Sequence, residues 1–259
     1  MQQALYINYI AFLTIVKRES RRIFRIWSQV FLPPIITIVL YFVIFGHLIG
    51  SRIGMIHGVP YMQFLAPGLI MMSVITNSYA GAVSAFFGVR FSGCVEEILV
   101  APVSRVTIVA GFVAAGAMRG LIIGFMVTLI SVFFTHFHIQ SPVLLFCILI
   151  LTSILFSLAG FVNALFARGF DDISIVPAFV LTPLTYFAGV FYSITMLPAF
   201  WRDLSYANPL LYIVNTFRYA ALGITDINIK ISYGVEVVLV GVLLYMIVHF
   251  MRKGYGGKI

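Results

Sequence analysis

The sequence predicts an all-α, polytopic membrane protein, a single transmembrane domain over residues 1–259 with six transmembrane helices, and three observations carry that prediction. Hydrophobic residues make up 62% of the chain and charged residues 9%, against about 25% charged in a soluble domain. With a mean hydropathy of +1.09, most of the surface must meet lipid rather than water. Apolar runs of about 20 residues, the length that crosses ~30 Å of hydrocarbon, recur along the chain, and no long polar block is left for a separate soluble domain. The net charge of +8 sits in the short gaps between those runs. There it reads as topology and contact with anionic lipid, not as a nucleic-acid surface.

The first element covers residues 4–28. Its apolar start, Ala4 to Val16, is interrupted by Asn8 and is too short to span. Lys17, Arg18, Arg21, Arg22 and Arg25 then fall within one arc of about 140° at 100° per residue. Phe12, Val16, Ile23, Ile26, Trp27 and Val30 lie opposite, with Glu19 and Ser20 interrupting that apolar side. The pattern predicts either an interfacial amphipathic helix with its basic face toward the headgroups or a cytoplasmic anchor that only fixes orientation. Span one follows over residues 29–50, with Pro33 and Pro34 near its start, where missing N–H groups cost least. Span two covers 61–88. In the gap from Val89 to Arg105, a Gly break precedes Glu96-Glu97-Ile98-Leu99-Val100 and then Ala101-Pro102. This is a short surface-parallel helix stopped by proline, with the form of a docking element. Spans three and four cover 106–132 and 142–166. Span five, 173–192, contains Pro177 and Pro183, which kink it and free carbonyls that neighbouring helices must satisfy. Residues 193–232 are apolar but broken by Arg202, Asp203, the Asn208-Pro209 turn and Arg218. The pieces 198–206 and 209–222 reach ~20 Å or less, which predicts a re-entrant outer helical hairpin whose charges are buried in protein or face water. Span six covers 233–251.

Orientation follows from Lys and Arg. With the N-terminus inside, the inner segments hold Lys17, Arg18, Arg21, Arg22, Arg25, Arg90, Arg105, Arg168, Arg252, Lys253 and Lys258, and the outer ones only Arg52, Arg202, Arg218 and Lys230. Eleven against four predicts both termini in the cytoplasm.

Several features bear on chemistry. Gly116, Gly120 and Gly124 form a tandem GxxxG on one face of span three, either a close-packing seam or part of a moving interface. Arg119 beside it either snorkels to the boundary or belongs to a polar pathway. Asp171 and Asp172 suit capping of span five's N-terminus, or contact with a cytoplasmic partner. His136 and His138 are a weak metal signal with no carboxylate or cysteine nearby. Glu236 reads as interfacial, and no span carries a chain of acids and histidines suited to proton relay. Cys94 and Cys147 imply no disulfide framework, and the N-terminus lacks a signal-peptide pattern. No Walker A motif occurs, since Lys258 follows Gly257 without a Ser or Thr after it, and H-E-x-x-H is absent. No cofactor or metal site is expected on this chain.

The E-E-I-L-V-A-P-V run between spans two and three resembles the coupling-helix region of ABC-2-type transport permeases. So do F-D-D-I-S, L-T-P-L-T-Y-F-A-G-V-F-Y-S, L-P-A-F-W-R-D-L-S, N-P-L-L-Y and F-R-Y further on, and Y-M-Q-F-L-A-P-G-L-I-M-M-S-V-I-T-N in span two. The likeness extends over nearly the whole chain. It implies a non-enzymatic permease subunit of an exporter in the bacterial inner membrane, paired as a homodimer, with a separate ABC ATPase subunit carrying ATP and Mg docked beneath each copy. On that likeness Arg90, Val95, Glu96, Glu97, Ile98, Leu99 and Pro102 form the docking region. Glu96 and Glu97 meet basic residues of the ATPase, and the basic helix of Lys17 to Arg25 is a second contact. Spans one and five line the dimer interface and the path. The aromatic residues, 15% of the chain, and the methionines suit a lipidic, amphipathic or glycan-type substrate, or are ordinary lipid-facing bulk. Two other classes remain open on the residues alone. A secondary transporter or channel would show intramembrane acids, paired broken helices or internal repeats. A non-transport membrane scaffold is separated from a permease only by the family resemblance.

Overall fold

The computed structural model describes residues 2–49 and 54–253, and the side chains of all of these except 2, 47–49, 96 and 99. Gly50, Arg52, Gly257 and Lys258 of the sequence reading lie outside the described residues. Helix α1 (Gln2–Arg25) passes through a break at Ile26 into α2 (Trp27–Tyr41), which continues as a π-helical stretch over Phe42–Ile49. A two-residue hairpin, β1 (Met55–Ile56) against β2 (Val59–Pro60), leads into α3 (Tyr61–Phe91). Then come α4 (Val95–Val100), α5 (Arg105–Thr135) and α6 (Pro142–Phe166). A broken helix follows: α7 (Phe170–Val176), a π-helical turn over Pro177–Leu181, and α8 (Thr182–Tyr186). The chain ends with α9 (Ala199–Tyr206), α10 (Pro209–Leu222) and α11 (Ile229–Arg252). Among the described residues, five helices are long and apolar enough to cross a membrane: Trp27–Gly46, Tyr61–Phe91, Arg105–Thr135, Pro142–Phe166 and Ile229–Arg252. The chain is thus an all-α polytopic membrane protein.

The expected fifth span is displaced. Its helix begins at Phe170 rather than 173 and stops at Tyr186 rather than 192. It stops because the Phe187 and Ala188 amides turn back to the carbonyls of Pro183 and Thr185, and Gly189 takes a left-handed φ of +69°, which glycine adopts without strain. Pro177 cannot donate to the Ile173 carbonyl, and Asn163 of α6 donates to it instead (3.3 Å). The prolines of span one also sit elsewhere than expected. Because α2 begins at Trp27, Pro33 and Pro34 lie inside the helix and withhold N–H groups from the carbonyls of Gln29 and Val30.

The three central helices α3, α5 and α6 pack along a seam of small residues. A Cβ at Gly116 would lie 2.8 Å from Ala82 Cβ and 2.8 Å from Ser157 Oγ. One at Gly120 would overlap Ser78 Oγ, and one at Gly124 would reach 2.7 Å from a Val74 methyl. The facing positions on α3, residues 74, 78 and 82, repeat every four residues, so two stripes meet in register. Gly160 of α6 completes the seam, where an added Cβ would run into the Tyr79 carbonyl. Sequence reasoning missed this glycine; the small residues Ser153, Ser157 and Gly160 on one face of α6 were the available signal.

Helix α1 packs against the bundle. It tracks the first half of α5 in the same direction. Asn8 Oδ1 accepts from the Ser104 amide (2.8 Å) and from Thr107 Oγ1 (3.2 Å). Ile15 packs on Gly111, and Ser20 Oγ meets Met118 Sδ at 3.6 Å. The face carrying Asn8, Ile15 and the buried Ile23 is spent on protein contact.

Helix ends define two ends of the bundle. The α3 C-terminus, α4, the α5 N-terminus and the C-termini of α6 and α11 share one. The α5 C-terminus and the N-termini of α3, α6 and α11 share the other. Helices α7 and α8 carry the chain from the first to the second, where Tyr61 Oη donates to the Phe191 carbonyl (3.0 Å). Helix α10 starts against Leu155 and Phe156, midway along α6. It ends beside the start of α6, where the Gln140 and Ser141 amides donate to Ala221 and Ala220.

Candidate functional site

At the α4 end, the loop joining α3 to α5 is tied into the body by two arginines. Arg90, in the last turn of α3, is 6% exposed. One terminal nitrogen donates to the carbonyls of Ala164 (3.2 Å), Leu165 (2.9 Å) and Ala167 (2.8 Å). These are the orphan acceptors at the C-terminus of α6, and a guanidinium there also meets the negative end of the helix dipole. Arg105, at the start of α5, does the same for α11, donating to Met251 (2.7 Å) and Arg252 (3.2 Å). The sequence reading put Arg90 in the docking region; in the structure it is buried, and its donors face inward to close α6.

Between the two arginines lies α4. Val95 is 4% exposed and joins the core formed by Phe86, Phe87, Phe112 and Phe161, with Ile98 packed against it. Glu97 and Pro102 are exposed, and Val100 is 86% exposed. The side chains of Glu96 and Leu99 lie outside the described residues. Thus α4 has one apolar face rooted in the bundle and one face presented outward with an acid and an apolar tip.

Of the basic residues of α1, Lys17, Arg18, Arg21 and Arg25 are exposed. Arg22, at the edge of the arc beside Glu19, turns inward and donates to the Ser84 carbonyl of α3 (2.9 Å) and to its hydroxyl (3.2 Å). Its Nε lies 2.8 Å from the buried carboxylate of Glu19. Burial pushes the Glu19 carboxyl up from its ordinary pKa, and Arg22 and Arg18 offset part of that rise.

Asp172, in the first turn of α7, reaches back to accept from the Arg168 amide (2.8 Å), which fastens the start of the broken helix in the manner of a capping residue. Asp171 is exposed. His136 closes α5 in a left-handed conformation, with φ +53°, and His138 is exposed. Among the described residues no cluster of three metal-capable side chains occurs.

Two further polar groups are buried, and of these Arg218 is among the hairpin charges expected to be buried in protein or to face water. Glu236 is fully buried and accepts from Thr152 Oγ1 of α6 at 2.6 Å. Arg218 is 2% exposed, donates to the Gly189 carbonyl (2.6 Å) and stacks 4.0 Å over the Phe64 ring. Near it Ser193, His57 and Asp226 converge, but Ser193 Oγ and Asp226 both approach the same ring nitrogen, at 3.0 and 3.1 Å. Ser193 also donates directly to Asp226 (3.0 Å). A nucleophile–base–acid relay needs the two ring nitrogens to serve different partners, so the cluster is a structural knot.

Halfway along α3 and α5, a cleft of about 280 Å³ opens between these helices and α2. Leu69, Met72, Ile38 and Tyr41 give it apolar walls, and Asn77 and Arg119 form its polar floor. Arg119 Nη2 donates to Asn77 Oδ1 (3.2 Å), and its stem passes over Gly81, where a Cβ would lie 3.2 Å from Arg119 Cδ.

The family model for ABC-2 type transporters matches residues 10–222. The inner membrane transport permease YadH of Escherichia coli K12 is 51% identical over 252 residues, covering 97% of this chain and 98% of that protein. Nodulation protein J of Rhizobium leguminosarum bv. viciae is 24% identical over 237 residues, 89% of each chain, and its counterpart in Sinorhizobium fredii is 29% identical over 68% of each. The matched region contains α4, both helix-closing arginines, and helices α9 and α10. The chain belongs to the ABC-2 type transporter family.

Proposed function

We propose that the chain is the membrane-spanning subunit of an ATP-driven exporter in the bacterial inner membrane, energised by a separate ATPase that docks on α4. One observation carries this reading. The outward face of α4, with Glu97, Val100 and Pro102, stands between two arginines that fasten its flanking helices to the ends of α6 and α11. A displacement imposed on α4 is thereby delivered to four of the long helices at once. The ATPase, with its ATP and Mg, binds its two nucleotide states with different affinity and biases the helices between two arrangements. Val95, Ile98, Leu99 and Pro102 form the docking element with Glu96 and Glu97. The exposed Lys17, Arg18, Arg21 and Arg25 contribute a second contact or grip anionic headgroups.

In this reading both termini are cytoplasmic and the chain makes six crossings. The broken helix α7–α8 supplies the fifth, since it carries the chain between the two ends of the bundle. Helices α9 and α10 form the re-entrant outer hairpin, with α10 beginning at mid-depth. The exposed apolar side chains of α2 and of the broken helix, including Ile36, Leu40, Phe179 and Val180, meet a second copy in a homodimer that lines the path. The substrate is lipidic, amphipathic or of glycan type. Co-purification tests the reading: an ABC ATPase should accompany the chain from native membranes, and reversing Glu96 and Glu97 to lysine should release it. A chain that purifies alone, or an ATPase that stays after the reversal, refutes the docking role.

A second reading rests on Glu236. A carboxyl buried against Thr152 is the group that a proton-coupled secondary transporter would use. Transport that persists without ATPase and is abolished by Glu236→Gln would favour it. A non-transport scaffold would show neither dependence.

A further inference from the structure

Arg119 lies fourteen residues into α5, next to Met118, which meets Ser20 of α1, and a guanidinium partly buried among packed helices is costly unless it is neutralised. The protein supplies little to neutralise it. Among the described residues its one hydrogen-bond partner is a neutral amide oxygen, Asn77 Oδ1. Its Nε is buried without a hydrogen-bond partner. Among the described residues no carboxylate comes within ion-pair distance of it, because Glu19 serves Arg22 and Arg18 and Asp226 serves His57.

The cleft that receives the guanidinium is built for an amphiphile. Its mouth is exposed at Gln29, Pro33, Thr37 and Thr76. Pro33 and Pro34 leave the carbonyls of Gln29 and Val30 without helical N–H partners, so the mouth is polar. The walls deeper in, Ile38, Tyr41, Leu69 and Met72, are apolar. A small hydrophilic anion would gain nothing from those walls, and a neutral hydrocarbon would leave the charge unmet.

We propose that this cleft binds one anionic amphiphile, a lipid whose phosphate or carboxylate pairs with Arg119 while its chains lie along α2 and α3. The site goes beyond the exporter reading and does not depend on it, since occupancy can be measured with no ATPase present.

The test is lipid retention by the purified full-length chain, read by native mass spectrometry after exchange into detergent containing phosphatidylglycerol or phosphatidylcholine. The wild-type chain should retain phosphatidylglycerol about tenfold more strongly, equivalent to ~1.4 kcal/mol. Arg119→Gln should abolish that preference. Thr37→Phe, which fills the mouth and leaves the arginine in place, should weaken retention of both lipids. Lys230→Gln, at an exposed cation at the start of α11, should leave the preference intact. Inorganic phosphate alone should not displace the lipid. The proposal is overturned if the wild type shows no preference, if Arg119→Gln keeps it, if Lys230→Gln removes it, or if inorganic phosphate strips the lipid.

Discussion

Gly120 and Gly241 give the sharpest test of the packing, because one substitution should act in opposite directions at the two sites. Both glycines lie inside long helices, so replacement by alanine improves helix propensity by about 0.8–1 kcal/mol in each case. At Gly241 in α11 nothing lies within 4 Å of the new Cβ, and that gain should appear undiminished. At Gly120 the new Cβ overlaps Ser78 Oγ and lies 2.9 Å from Ser78 Cβ and 3.3 Å from Ser153 Oγ. No rotation of so short a side chain clears both atoms of Ser78, so α3 and α5 must part, at an overpacking cost of ~1–3 kcal/mol. The net expectation is a loss of about 1 kcal/mol at Gly120 against a gain of about 1 at Gly241, a spread of roughly 30-fold in the unfolding equilibrium. Reversible unfolding in mixed micelles, followed by the fluorescence of Trp27 and Trp201, measures both. Adding Ser78→Gly to Gly120→Ala should restore part of the loss, and a double-mutant cycle isolates the contact. If the two alanine variants shift stability in the same direction, or if the cycle shows no coupling, the in-register seam between α3 and α5 is wrong.

Arg90→Gln should cost about 2–3 kcal/mol of stability, because it leaves buried carbonyls at the end of α6 without a charged donor; thermal unfolding should show the loss while the folded fraction still binds the ATPase. Arg105→Gln should leave ATPase docking intact but lower transport per ATP hydrolysed, which reconstituted vesicles can measure. Glu97→Lys should weaken ATPase binding by about tenfold or more without changing the melting of the chain alone. Glu19 has its carboxyl pKa raised by burial, so the folded state holds a proton that the unfolded state releases. Stability should therefore fall as pH rises from the ordinary glutamate value through the raised one; Glu19→Gln should remove that pH dependence.

The crossing helices were legible because hydropathy and length report burial in lipid directly. Pro142–Phe166 was bounded to the residue, and the hairpin pieces differed by a residue at most, since the Asn208-Pro209 turn marks them. The gap helix ran as its Gly break and Pro102 indicate. What stayed hidden depends on partners distant in sequence. Arg90 reads as a surface cation in a polar gap, and nothing local reveals that the end of α6, about 75 residues on, lies within its reach. Glu236 reads as interfacial because its position in span six says nothing of Thr152 opposite. Arg22 leaves the basic arc only because Ser84 and Glu19 wait on its inner side. The broken helix α7–α8 started three residues early and stopped six short, because a hydropathy run does not reveal where Gly189 turns the chain. Arg119 was visible as an anomaly, and the structure supplied the cleft that gives it a use.

The most direct test of the coupling account places a photo-crosslinking amino acid at Val100, the 86% exposed tip of α4, in cells that express the ATPase. Illumination should join the chain to that ATPase, and Glu97→Lys should suppress the adduct. Adducts that lack the ATPase, or ATP-coupled transport that survives disruption of the α4 face, would contradict α4 as the point where energy enters.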